Sequence, residues 1–441
     1  IQSLFLLVSY TVPIVSGTMA DRYGFKKILI VSYLAYLPAI LLMLVTEQWQ
    51  TTMDPAAWRA AAVGLWMAIW WATEAIPVPV TAFLPIVIFD PLGIATIRDA
   101  AAPYANPIIY LFLGGFLMAL ALERWNLHRR IALAILDRTG TDGRRLIGGF
   151  MFVCAMLSMW MTNTSTTMML LPIVTSVIAV IADTVKEVSE EERKNFSLCL
   201  LLGTAFGATI GGVATLVGTP PNAFLAAFLA DNYGIEISFA RWMLVGVPVT
   251  VIMLPLCWLV LTRVVYPISF HTSTETRELL HSLKESLGPP SSAERRVGII
   301  FLCVVAGWMT RPWLSKFLPL DGVTDPGIVM AAAFVMFLVP SGGRNTLRLL
   351  NWQQTKELPW EILILFGGGL SLAAAVSETG LAHWLGTSLV PLGTFGIAAI
   401  VVGAVALVIF LTELTSNLAT TATLLPVLAA LAIELGISPI T

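Results

Sequence analysis

Long apolar runs almost free of charge recur along this chain, at 28–46, 59–73, 104–122, 146–182, 197–230, 242–262, 326–341 and 395–412. Most approach or exceed the roughly 20 residues that an α-helix needs to cross a bilayer core. One or two such runs fit inside a large soluble domain, but this many do not. Composition agrees, since 57% of the 441 residues are hydrophobic and only 12% are charged, about half the charged share of soluble domains. The runs are continuous rather than alternating every second residue, which argues against an outer-membrane barrel. The fold expected is an all-α polytopic membrane protein.

Several function classes drop out on composition. A formal net charge of −2 gives no basis for a nucleic-acid partner. Cys154, Cys199, Cys257 and Cys303 are scattered through apolar runs without a CxxC pair, so packing explains them better than metal or disulfide chemistry. The four histidines stand far apart, and the polar clusters hold Ser and Thr without a His, Lys or carboxylate pair to activate them. No enzyme is expected. The chain begins at Ile1 without an initiator Met and ends at Thr441 soon after an apolar helix, and it is read as a fragment.

A gapless shift of 254 residues lays the second half of the chain on the first. It brings Gly114-Gly115 onto Gly368-Gly369, Leu127 onto Leu381, Asn163 onto Asn417, Thr166-Thr167 onto Thr420-Thr421 and Pro172 onto Pro426. Charge then gives each copy a direction. After the Gly-Gly helix the first copy reads "RWNLHRRIALAILDRTGTDGRRL", whereas its counterpart, "GLAHWLGTSLVPLGTFGIAAI", has no Lys or Arg. Basic residues near membrane ends mark the cytoplasmic side, so the copies enter from opposite faces as an inverted repeat. The domains expected are N-terminal segments at 1–46, a first repeat at 55–270, a linker at 271–296 and a second repeat at 297–441, incomplete at its end. The linker, "HTSTETRELLHSLKESLGPPSSAERR", reads as a plain solvated cytoplasmic loop.

Within the first repeat, Thr162-Asn163-Thr164-Ser165-Thr166-Thr167 interrupts a stretch without charge from Leu146 to Ala182. Ile147 to Met161 makes only ~22 Å of helix at about 1.5 Å per residue, short of the ~30 Å hydrocarbon core, and the arm from Met168 to Ala182 is similarly short. A re-entrant hairpin over 147–182 with its tip at 162–167 fits, because non-helical backbone at membrane depth must be buried or line a wet cavity. The repeat places a second hairpin around 401–435. In "GATIGGVATLVGTPPNAF", Gly207 to Phe224, four glycines and Pro220-Pro221 break the helix over 197–230. A broken helix offers free carbonyls to Na⁺ at one end and N–H groups to an anion at the other. Glu413 is the carboxylate at apparent membrane depth, tuning the site or making a structural hydrogen bond.

The segments "TNTSTTMMLLP", "GTPPNA" and "TSNLATTATLLP", with "WWATEAIPVPVTAFLP" and "LFLGGFLMALALERWNLHRRIA", resemble the divalent anion/sodium symporters, among them the INDY-type bacterial di- and tricarboxylate carriers. The resemblance covers about 55–441. It implies an inner-membrane homodimer in which a transport domain moves against a scaffold domain like an elevator, carrying a dicarboxylate with Na⁺. By position it implies one sodium site at Ser158, Asn163 and the Gly211 region, and another at Thr412, Thr415 and Asn417. Substrate contacts fall on Asn163, Thr164, Ser416 and Asn417, with Thr219, Pro220 and the residues to Asn222 close by.

The sequence departs from that pattern in three places. Thr162 stands where the family usually has Ser. Leu418 stands where its Thr would touch a carboxylate, which weakens dicarboxylate binding or shifts substrate preference. The counterpart of Gly218 to Asn222 falls beyond Thr441, so the chain as given is expected to lack half of the second sodium site and to fail as a transporter. Ahead of these motifs, "GTMADRYGFKK" at Gly17 to Lys27 resembles a loop of the major facilitator transporters. A short foreign segment explains it, or an ordinary basic loop of similar spelling. Within the symporter reading, a sodium-independent di/tricarboxylate exchanger and a sulfate or citrate carrier remain the alternatives.

Overall fold

A computed structural model describes residues 47, 52–140, 142–184, 189–269, 274–314, 317, 322–342, 347–412 and 416–438. The segments expected at 1–46, and with them the major-facilitator-like stretch 17–27, lie outside the described residues, as do Glu413 and Thr415. Among the described residues the regular structure is helical. The helices are α1 (Pro55–Thr73), α2 (Val78–Thr81), α3 (Leu84–Ile88), α4 (Ile97–Ala101), α5 (Pro107–Arg124) and α6 (Leu127–Leu136). The chain continues through α7 (Gly143–Ser158), α8 (Asn163–Thr184), α9 (Glu190–Gly212), α10 (Pro220–Tyr233) and α11 (Phe239–Leu259), the last running on as a π-helical turn at Val260–Val265. Then come α12 (Thr274–Glu285), α13 (Ser292–Leu314), α14 (Asp325–Leu338), α15 (Trp360–Glu378), α16 (Leu381–Leu389), α17 (Ile397–Thr412) and α18 (Asn417–Glu434). Among the described residues six spans are long and apolar enough to cross a membrane: Ile97–Arg124, Asn163–Thr184, Glu190–Gly212, Phe239–Val265, Trp360–Glu378 and Asn417–Glu434.

Helix bounds recur at the sequence offset. α6 and α16 begin at Leu127 and Leu381, α7 and α17 cover Gly143–Ser158 and Ile397–Thr412, and α8 and α18 begin at Asn163 and Asn417. The turn before α6 is left-handed at Asn126 (φ 56°), and the one before α16 is left-handed at Gly380 (φ 78°). L-residues resist this conformation, with Asn and Gly the usual exceptions. Pro172 and Pro426 sit inside α8 and α18 at matching places.

The chain forms two compact units. One contains the described residues up to Asn106, Asp231–Tyr233 and everything from Trp360 on; the other contains Pro107–Ala230 and Gly234–Pro359. In the first unit α15 packs with α1, α2 and α18, and a methyl on Gly368 would lie 2.3 Å from the Ala82 carbonyl oxygen. In the second, α5 packs on α14, where a methyl on Gly114 would meet the Val329 side chain at 2.5 Å. The core of this unit joins α6, α7, α8 and α9 through Leu133, Phe150, Met151, Val174, Val177, Phe196 and Leu200, all fully buried.

The α7–α9 contact runs along a glycine stripe. Gly203, Gly207 and Gly211 recur every four residues on one face of α9 and receive Met151 and Ala155 of α7. Lipid tails solvate leucine as well as a neighbouring helix does, so close van der Waals approach over small residues holds such helices together. This corrects the reading of Gly207, Gly211 and Gly212 as helix breakers. All three remain helical, and the break is confined to 213–219, between α9 and α10.

Segment 271–296 is also not a plain solvated loop. α12 fills 274–285, with Leu280 buried and Leu279, Leu283 and Leu287 packed against the same core. Their three- and four-residue spacing makes one apolar face. Lys284 Nζ lies 2.7 Å and His281 Nδ1 3.3 Å from the Asp137 carboxylate at the end of α6. The hydrogen bond from Lys284, more than that from His281, holds the Asp137 pKa below the ordinary aspartate value. The stabilisation is therefore present above the unfolded aspartate pKa of about 3.9 and is lost as pH falls through the lower, folded one. A pair this accessible contributes up to about 1 kcal/mol. Limited proteolysis should show α12 more readily cleaved below about pH 4, and Asp137→Asn should bring that susceptibility to neutral pH.

Candidate functional site

Two interrupted helices meet end to end inside the second unit. α7 stops at Ser158 and α8 starts at Asn163, leaving 159–162 as the turn. Thr162 caps α8, its hydroxyl oxygen accepting from Ser165 N–H (3.2 Å) while it donates to the Ser165 hydroxyl (2.9 Å). Hydroxyl residues are favoured there because they satisfy N–H groups that the first helical turn leaves unpaired. The Ser158 hydroxyl donates to Asn163 Oδ1 at 2.7 Å, closing the turn on itself.

The turn is shorter than the polar run implies, correcting the tip placed at 162–167. Asn163 to Thr167 already belong to α8, whose 22 residues also make this arm longer than the segment expected. Thr167 spends its hydroxyl on the Asn163 carbonyl (2.9 Å), and Thr166 is fully buried. Thr164 and Ser165 in the first turn stay exposed.

The second interruption is organised by side-chain amides and hydroxyls. Asn222, buried in the first turn of α10, donates through Nδ2 to the carbonyls of Gly212 (3.0 Å) and Thr215 (2.8 Å). The Thr215 hydroxyl donates to the Met159 carbonyl in the first turn and accepts from Gly218 N–H at 3.1 Å, tying the two breaks together. Trp242 Nε1 holds the Val213 carbonyl (2.9 Å) and the Thr250 hydroxyl that of Ile210 (3.0 Å). Pro220 and Pro221 occupy the first two positions of α10, where a missing N–H removes no helical bond. Thr219 precedes them in extended conformation.

Glycine lets these strands of oxygen converge. A methyl on Gly212 would fall 2.5 Å from Asn163 Oδ1, and one on Gly218 would fall 2.5 Å from the Gly212 carbonyl oxygen and 2.9 Å from that of Ser158. A methyl on Gly211 would lie 2.2 Å from the Ala155 carbonyl oxygen. The structure thus brings Ser158, Asn163, Gly211 and the segment leading to Thr219 and Pro220 into one place, with Thr164 beside them. The cluster is made of neutral oxygens at two helix C-termini, adjoining the N-termini of α8 and α10. Carbonyl ends suit a hard cation and N-terminal ends suit an anion.

The other turn lies in the first unit. Thr412 ends α17 with its hydroxyl on the Ile409 carbonyl (2.9 Å), Ser416 is the N-cap of α18, and Asn417 is its first residue. The Thr421 hydroxyl bonds the Asn417 carbonyl at 2.8 Å, repeating the bond that Thr167 makes to Asn163. Leu418 is buried, unlike its exposed counterpart Thr164. Thr215 is the residue that the sequence motifs pass over; its one signal is a hydroxyl between two glycine-rich half-helices.

Residues 27–441 match the family described as the sodium:sulfate symporter transmembrane region, and the chain belongs to that family. It is 38% identical over 383 residues to a sodium-dependent dicarboxylate transporter of Staphylococcus saprophyticus, covering 86% of this chain and 74% of that protein. It is 40% identical over 385 residues to a sodium-dependent dicarboxylate transporter of Staphylococcus aureus, with the same coverage. With six apolar spans among the described residues and bacterial relatives of this kind, the chain is an integral protein of the inner (plasma) membrane.

Proposed function

We propose that the chain is a sodium-coupled symporter of divalent anions, carrying C4-dicarboxylates such as succinate, with no catalytic step. The observation that carries this reading is the cluster of neutral oxygens from Ser158, Asn163 and Gly212 beside the N-termini of α8 and α10. The names of the relatives supply the substrate class. On this reading Ser158, Asn163 and the Gly211 region hold one Na⁺, and Thr412, Thr415 and Asn417 hold the other. Asn163, Thr164, Thr219, Pro220, Ser416 and Asn417 contact the dianion.

The coupling is electrostatic. A sodium ion about 4 Å from a carboxylate gains roughly 4 kcal/mol at an effective dielectric of about 20, and each partner raises the other's affinity by the same factor. Two oppositely oriented repeats, 55–270 and 297–441, each contribute one re-entrant hairpin. A homodimer with a fixed scaffold and a moving transport domain gives alternating access.

Labelled succinate uptake into proteoliposomes, by a version of the chain that extends past residue 441, tests the reading. An inward sodium gradient should drive accumulation, and replacing sodium by choline should abolish it. Counterflow from preloaded vesicles at full rate without sodium would overturn symport in favour of exchange. Uptake of sulfate or citrate but not succinate would move the substrate assignment.

A further inference from the structure

The turn between Ser158 and Asn163 carries a large side chain that the ion chemistry does not use. Trp160 joins a column of rings. It stacks on Phe239 (centroids 6.0 Å apart, planes at 16°) and meets Phe301 edge-on at 5.0 Å. Phe239 in turn stacks on Trp308 at 4.1 Å and 19°, and both are fully buried. The far end of the column is held by Asp325, itself buried. One carboxylate oxygen accepts from Arg311 Nε (2.6 Å) and the other from the Phe239 backbone N–H (2.8 Å), while the Asp325 carbonyl accepts from Trp308 Nε1 (2.9 Å). One buried acid thus fixes the starts of α11 and α14 and the last turns of α13, and the column ends two residues from Ser158 and three from Asn163.

We propose that Trp160 is a positioning residue for sodium, resting on the symporter reading above. Its ring, seated on Phe239 and Phe301 and registered by Asp325, sets where the four-residue turn presents the Ser158 carbonyl and the Asn163 amide oxygen. Apart from the ring contacts, the turn is tied by the Thr215 bond to Met159, the Ser158–Asn163 bond and the Thr162 cap on α8. None of these bonds it directly to α11 or α13. A buried acid bonded to Phe239 and Trp308 of the column, and to Arg311 beside them, suits registration better than simple filling, because removing one partner of such a network leaves a costly unpaired group.

The test uses reconstituted full chain and two readouts, succinate uptake as a function of sodium and sodium-dependent thermal stabilisation without succinate. Trp160→Ala should raise the half-saturating sodium concentration about tenfold in both, the loss of two aromatic contacts, with maximal uptake at saturating sodium near wild type. Trp160→Phe, which keeps a ring, should stay within about twofold. Asp325→Asn should shift sodium dependence in the same direction, and the double variant should add little to Trp160→Ala. If Trp160→Ala is not recovered folded, Asp325→Asn decides by the same sodium readouts. Unchanged half-saturation in the deciding variant, or a lowered maximal rate with sodium dependence intact, overturns the proposal while leaving symport standing. A wild-type chain without sodium dependence in either readout sinks the symporter reading and this proposal together.

Discussion

Asn163→Ala is expected to abolish most sodium-dependent uptake at sodium concentrations that saturate the wild type. Asn163 Oδ1 accepts the Ser158 hydroxyl at 2.7 Å and faces the Gly212 backbone, so its removal deletes a proposed ion ligand and frees the hydroxyl that defines the turn. Losing one partner of a buried hydrogen bond costs about 1–3 kcal/mol, roughly a 5- to 150-fold loss in sodium affinity. Asn163→Asp separates the two ligands. Its carboxylate should keep or strengthen sodium-dependent thermal stabilisation while repelling the dianion, so succinate affinity falls. Wild-type sodium dependence in Asn163→Ala would remove this residue from the site.

Gly211→Ala should have the largest effect on assembly. The added methyl would sit 2.2 Å from the Ala155 carbonyl oxygen and 2.3 Å from its Cα, atoms that no side-chain rotation can move. α7 and α9 must separate, and with them the ends that present Ser158 and Gly212. Overpacking of this kind costs about 1–3 kcal/mol or more, which should appear as a lower melting temperature in detergent and lost uptake. Gly403→Ala is the matched control. It lies within α17, a methyl there meets nothing within 4 Å, and helix propensity favours the change by up to about 1 kcal/mol. Equal melting shifts in the two variants would mean that the glycine stripe does not hold the helices at this spacing.

Much of the site was legible from local pattern. Asn163 and Asn417 stand at one offset, and each proves to be the first residue of a helix that follows a break. The Thr162 hydroxyl caps α8 by simple hydrogen-bond supply, and Ser416 stands at the matching N-cap position of α18 without a side-chain capping bond. Exceptions arose where one residue type serves two physical purposes. Glycine both loosens a helix and allows a neighbour close, and only the position of Met151 and Ala155 separates these roles at Gly207 and Gly211. Leucines at 279, 280, 283 and 287 made an apolar face inside a polar segment, and the loop reading overlooked their period.

Sequence alone determined that this chain is a helical membrane protein, that its halves repeat, and that polar turns interrupt the apolar runs. Those properties follow from transfer energetics and helix geometry, which act over a few neighbouring residues. Tertiary structure alone decided that the Asn222 amide reaches the carbonyls of Gly212 and Thr215, that Thr215 ties one break to the other, and that Trp160 connects through Phe239 to Asp325. Each of these links depends on backbones brought within a few ångströms by packing. No periodicity along the chain encodes that distance.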